Sequence, residues 1–210
     1  MTEQFEAPQT YLITPPAFEL SRFEGDLGAV LDAHEIACVR LVQASEDAGA
    51  VAKIADRLRE ICHERDVALV IDSHLQMVEQ LGLDGVHLPT GGAAAVRSAR
   101  KALGDEAIVG AFCGASRHDG MSAGEAGADY IAFGPVSPTP LGDGTLAEDD
   151  LFGWWSQMIE LPVVAEGGLS AGRVTALAPL TDFFGVGPEI WDRDNPAKAL
   201  GELMAGAGPA

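Results

Sequence analysis

The chain has 210 residues, of which 47% are hydrophobic and 21% charged; that is enough apolar material for a sizeable core and excludes a chain disordered throughout. Thirteen basic residues against 32 acidic ones give a formal net charge of −19, a field that repels phosphate backbones and excludes general nucleic-acid binding. A phosphate-bearing ligand would therefore need local backbone amides, a helix N-terminus or a metal ion.

In chain order, short apolar runs alternate with longer amphipathic ones. Strands are predicted at Tyr11–Thr14, Cys38–Val42, Ala68–Asp72 and Gly85–Leu88, then at Ile108–Cys113, Tyr130–Gly134, Pro162–Ala165 and Asp182–Val186. Each is short, β-branched or aromatic and little interrupted by polar residues, as strands of a parallel sheet buried on both faces are. Between them, Asp47–Arg65 places Val51, Ile54, Ala55, Leu58, Ile61 and Cys62 on one helical face. Ala93–Leu103, Ser116–Ala126, Asp149–Ile159 and Ala171–Leu180 read as shorter helices. Ser170 is a predicted N-cap, and Asn195-Pro196 opens a last helix.

Eight strands alternating with helices predict a single (β/α)8 barrel, an α/β fold of one domain over residues 1–210. A doubly wound sheet is the alternative, but no G-x-G-x-x-G follows the first strand. Cys38, Cys62 and Cys113 are an odd count with no C-x-x-C spacing, so reduced core thiols are expected rather than a disulfide framework or a zinc site. MTEQFEAPQT has neither a basic n-region nor an apolar h-region, and no apolar run reaches a membrane span of about 18 residues. A cytoplasmic protein without membrane or nucleic-acid partners is expected, with a homo-oligomer left open.

In a barrel the chemistry gathers at strand C-termini. Those ends carry Thr14, Arg40, Gln43, Asp72, Ser73 and His74 in the first half, with His87 and Pro89 after strand four. Cys113, Ser116, His118, Gly134, Thr139, Glu166, Gly167, Gly168, Gly185 and Gly187 follow. Glu166-Gly167-Gly168 runs from a strand into a helix, and Gly185-Val186-Gly187 ends the next strand. Such turns let a phosphate approach backbone N–H groups, or simply make tight turns. Arg40 in an apolar strand needs an anion, either a ligand or a buried partner such as Asp72 or Glu166. Asp72 reads as a Mg²⁺ ligand or as a helix N-cap. His87 reads as a core histidine, and Cys113 as an inert thiol. Ser116 and His118 reach the mouth or lie on a solvated helix start. The long segment Pro135–Asp150 is a candidate active-site loop.

The blocks YLIT at Tyr11, DGVHL at Asp84, GADYIAFGPVSPT at Gly127 and PVVAEGG at Pro162 together resemble thiamine-phosphate synthase in order and spacing. The resemblance covers nearly the whole chain. It implies a (β/α)8 barrel that joins hydroxymethylpyrimidine diphosphate to a thiazole phosphate, releasing pyrophosphate with Mg²⁺. A thiazole tautomerase shares the barrel.

Several positions depart from that family. Its diphosphate-gripping Gln-Leu-Arg-x-Lys falls on Arg40 to Ala44, and its Asn-Asp after strand three falls on Asp72-Ser73. Its second Mg²⁺ aspartate falls on Gly92, its strand-five serine on Cys113, and its loop threonine and lysine on Leu141 and Gly142. Thr139, Gly167 and Gly168 are kept, while Glu166 replaces an aliphatic residue and Gly187 a serine. The resemblance thus implies catalytic Arg40 and Asp72, with Asp72 the remaining Mg²⁺ ligand. It implies substrate contacts from Cys113, Thr139, Gly167, Gly168 and Gly187 to a small phosphorylated heterocycle. Three readings follow: a synthase with a depleted centre, a barrel that binds a thiamine-related phosphate without turnover, and an isomerase using His118 or Cys113.

Overall fold

A strand that only crosses a barrel wall needs few residues, and every strand here is short. In the computed structural model, which describes residues 7–90 and 92–208, the strands are β1 (Gln9–Ile13), β2 (Ile36–Leu41), β3 (Ala68–Asp72) and β4 (Gly85–Leu88). They continue as β5 (Ile108–Phe112), β6 (Tyr130–Phe133), β7 (Val163–Glu166) and β8 (Phe183–Val186). All neighbours pair in parallel, and β8 returns to β1, so the sheet closes into an eight-stranded barrel.

The surrounding helices are α1 (Leu20–Ala33), α2 (Ala48–His63), α3 (Leu75–Leu81), α4 (Ala93–Leu103) and α5 (Arg117–Glu125). After them come α6 (Asp149–Met158), α7 (Ala171–Leu177), α8 (Pro188–Trp191) and α9 (Pro196–Met204). Ser170, the predicted N-cap, and Asn195 before Pro196 each accept a bond from the backbone N–H three residues on, and Ser116 does the same for α5. Helix α1 buries Phe23, Leu27, Val30 and Leu31, although the strand-and-helix pattern of the sequence does not single it out.

Alternation along the strands divides the apolar residues into two cores. Leu12, Val39, Leu41, Leu69, Ile71, Ile131 and Phe184 face the helices, whereas Tyr11, Cys38, Val70, Tyr130, Ala132 and Val164 fill the barrel interior. The pairing of β1 with β2 slips once. Thr10 sits opposite Ile36 but Tyr11 opposite Cys38, so Ala37 is an extra residue in the ladder.

At the N-terminal end of the barrel one device recurs. The Asp84 carboxylate accepts from Leu69 N at 2.7 Å, Asp129 from Val109 N at 2.7 Å and Asp182 from Val163 N at 2.8 Å. Each aspartate precedes an even-numbered strand and holds the start of the odd-numbered strand before it. The backbone N–H of the same aspartate bonds back to that strand, at 3.0, 2.8 and 3.2 Å respectively.

In the interior, the hydroxyls of Tyr11 and Tyr130 lie 2.7 Å apart, and the Tyr130 hydroxyl is 2.9 Å from His87 Nδ1. Burial, then the nearby Arg40 charge, pushes His87 well below the ordinary histidine range, so its ring is neutral. His87 is the core histidine the sequence predicts. A side chain at Gly110 would enter the space of the Tyr130 ring. Gly110→Ala is therefore expected to cost about 1–3 kcal/mol through overpacking; urea unfolding at constant m-value measures it, and an unchanged midpoint would contradict this packing.

Candidate active site at the barrel mouth

The C-terminal ends of β2, β3 and β7 bring three charged side chains into one buried cluster. Arg40 is 6% exposed and Glu166 2%. Arg40 Nε donates to Asp72 Oδ1 at 2.6 Å and Nη2 to Asp72 Oδ2 at 3.0 Å, a two-point pairing across neighbouring strands. From the far side of the barrel, Glu166 Oε2 accepts from Arg40 Nη1 at 3.2 Å. Burial opposes the Arg40 charge, but Glu166 and Asp72 outweigh it and raise its pKa. Burial raises the Glu166 carboxyl; Arg40 opposes that, while Asp72 and Glu189 add to it. The second oxygen of Glu166, Oε1, is buried without a hydrogen-bond partner. Gly134 and Gly185 flank Glu166 so closely that a Cβ at either would meet its side chain, at 3.2 and 2.8 Å.

Beside this cluster the β7–α7 and β8–α8 turns meet. Gly167 and Gly168 hold φ of +84° and +79°, a conformation that side chains rarely adopt. Gly168 N and Leu169 N donate to Glu189 Oε1 at 3.2 and 3.0 Å, and Gly187 N donates to Glu189 Oε2 at 2.8 Å. The amides that the sequence offers to a phosphate thus converge, and a carboxylate of the chain lies among them. Glu189 is absent from the residues the sequence singles out; its only signal is an acidic residue just after Gly187-Pro188, in the first turn of a helix.

The segment after β6 lies over the same end. Val136 N donates to the carbonyls of Glu166 and Gly167 at 3.1 and 2.9 Å, and Ser137 N to that of Gly167 at 3.1 Å. A Cβ on Gly167 would lie 2.7 Å from Leu141, and one on Gly168 3.0 Å from Thr139. Thr139 Oγ1 accepts from Leu141 N at 3.3 Å.

Other predicted positions are less central. Cys113 is buried, its Sγ 3.6 Å from the Ala111 carbonyl, and burial with the Asp119 charge pushes its thiol up to about 12. Thr14 ties the ends of β1 and β2 together, its Oγ1 accepting from Val42 N at 3.0 Å. Ser116 is spent as the α5 cap and His118 is exposed. His74, not Asp72, is the N-cap residue of α3. Gln43 Nε2 is buried without a partner. Among the described residues, no three His, Cys, Asp or Glu side chains converge to hold a metal ion.

Residues 10–183 match the family model described as thiamine monophosphate synthase. The chain belongs to that family. It is 38% identical over 196 residues to the thiamine-phosphate synthase of Rhodospirillum centenum, covering 92% of this chain and 94% of the relative. To the thiamine-phosphate synthase of Erythrobacter litoralis it is 40% identical over 162 residues, covering 74% and 76%. The solved thiamine phosphate pyrophosphorylase of Pyrococcus furiosus superposes with a TM-score of 0.81 at 22% identity, over 95% of each chain. The fold also matches a 3-hexulose-6-phosphate synthase, TM-score 0.73 at 14% identity, over 95% of this chain and all of that one. Family membership over most of the chain places this protein in thiamine biosynthesis, with a function of the thiamine-phosphate synthase kind. Among the described residues no helix is long and apolar enough to cross a membrane.

Breaking a buried ion pair from one side strands its partners, at about 3–5 kcal/mol. Arg40→Met leaves Asp72 and Glu166 facing each other and is expected to cost that much in urea unfolding. Glu166→Gln, which keeps the Arg40–Asp72 pair, costs less. A carboxyl raised on folding contributes most at pH below its unfolded pKa and loses that contribution as pH climbs through the folded value. The stability of the parent relative to Glu166→Gln therefore falls as pH rises above the ordinary carboxylate range. A pH-independent difference would contradict this ordering.

Proposed function

We propose that the chain acts on the pair implied by its family, hydroxymethylpyrimidine diphosphate and a thiazole phosphate, as a transferase with much weakened power to neutralise a departing diphosphate. The observation that carries this reading is the engagement of Arg40. Its Nε and Nη2 go to Asp72 and its Nη1 to Glu166, so a diphosphate would have to compete with two carboxylates for that cation.

The reaction needs no side-chain nucleophile if the diphosphate leaves first and the thiazole nitrogen takes the released carbon. What it needs is neutralisation of the leaving charge, and a metal ion or an Arg/Lys clamp is worth several kcal/mol there. Mg²⁺ does not fit the residues present: both oxygens of Asp72 accept from Arg40, and the family's other carboxylate falls on Gly92. Arg40 is the cation of the buried cluster in this reading and Asp72 the group that orients it. The turn amides of Gly168 and Gly187, with Gly167 between the strand end and the turn, are the places for a thiazole phosphate. Thr139 and Cys113 are placed as lining of the mouth in this reading.

The same engagement of Arg40 favours a second reading, a barrel that binds a thiamine-related phosphate with no turnover. An isomerase has less support, since a thiol pushed up to about 12 exchanges its proton poorly at neutral pH.

Assayed beside the Rhodospirillum centenum relative, the purified protein is expected to release pyrophosphate from the two substrates at least about 10²-fold more slowly, the loss typical of one missing electrostatic element. Calorimetric binding of thiazole phosphate is expected to survive. Comparable turnover would overturn the weakened centre, and failure to bind either substrate would overturn both readings.

A further inference from the structure

Adjacent βα turns aim three backbone N–H groups at one place, and the carboxylate of Glu189 sits there. These donors belong to Gly168, Leu169 and Gly187, on turns whose glycines let a group approach closely. Beside them Glu166 is buried with Oε1 unpartnered and with its pKa raised, after burial, by the charges of Asp72 and Glu189. An anion entering this cradle would displace one carboxylate and face another.

We propose that Glu189 is an internal anion that competes for this end of the barrel, setting a threshold that free phosphate does not pass and that a phosphate borne by a ring held elsewhere in the mouth does. This rests on the reading that a phosphorylated heterocycle binds here. Glu189 lies two positions beyond Gly187 in the chain, so its carboxylate is present at high local concentration. A ligand that must wait for the seat to open binds more weakly by the fraction of time it is open; an opening of 1–10% weakens it about 10- to 100-fold. Inorganic phosphate has nothing but the amides with which to repay that loss. A thiazole phosphate bears the same loss and offsets it with its ring contacts. The competing explanation is purely structural, with Glu189 serving only to satisfy the first turn of α8 and the neighbouring amides.

The two are separated by titrating the parent, Glu189→Gln and Glu189→Ala with inorganic phosphate and with thiazole phosphate. Inorganic phosphate is expected to bind Glu189→Ala at least about tenfold more tightly than the parent. Glu189→Gln, which keeps an accepting oxygen without the charge, falls between and supplies the answer if the alanine variant folds poorly. Thiazole phosphate is expected to gain by a similar factor in the same variants, because both ligands wait for the same seat to open. Equal or weaker phosphate binding in both variants, or none in any protein, would overturn the proposal. If the variants gain inorganic phosphate while no protein binds thiazole phosphate, the proposed function fails and the role of Glu189 as an internal anion stands. If thiazole phosphate binds all three equally and inorganic phosphate does not respond, the role of Glu189 fails and the proposed function stands.

Discussion

A guanidinium enclosed by a barrel must be neutralised where it lies, because removing it from water costs several kcal/mol that only close opposite charge can offset. Arg40 imposes this requirement on the mouth. Asp72, one strand away, meets it with two parallel bonds, and Glu166 reaches it from the opposite wall. The chain passes residue 166 so closely on both sides, just after β6 and within β8, that a Cβ there would strike it, and Gly134 and Gly185 have none. Replacing any one member leaves charges or space that the others cannot resolve.

The same end of the barrel shows how an acidic protein can carry a cradle of backbone donors. Net charge of −19 argues against anions at long range, but at contact distance the local donors decide. Backbone amides have no pKa to shift and no side chain to lose, so their orientation does not depend on which side chains line the mouth. The chain has kept the amides and surrounded them with carboxylates of its own.

The strands were legible because enclosed strands are apolar on both faces; β3 and β4 occur at the predicted residues. Helix α1 was not, since Gly25 and Gly28 dilute its pattern and Glu19 supplies no side-chain cap bond. Strand β7 ends one residue later than its apolar run because its last member is the buried Glu166. Arg40 could be singled out as a lone charge in an apolar strand, with Asp72 and Glu166 as its protein partners should it find no ligand. Glu189 could not, because the groups that hold it are main-chain N–H groups, and those leave no trace in residue identity.

Closing a sheet into a cylinder requires an overall offset between strands, and the distribution of aspartates bears on where irregularity can sit. Pairs β3–β4, β5–β6 and β7–β8 are each held in step at their base by Asp84, Asp129 or Asp182. The β1–β2 pair has no such aspartate and contains the extra residue Ala37. One added residue reverses the facing of everything after it. Ile36 packs toward the helices, and strict alternation from there would send Cys38 and residue 40 outward as well; with Ala37 bulged, Cys38 turns into the barrel while Val39 and Leu41 take the outer face. The parity switch at a single irregular rung is what makes Arg40 an interior residue: deleting Ala37 would regularise the ladder and leave Arg40 inside, whereas drawing Ala37 into the rung opposite Tyr11 would turn the charge to the helix-facing layer and dissolve the mouth without altering any residue in it.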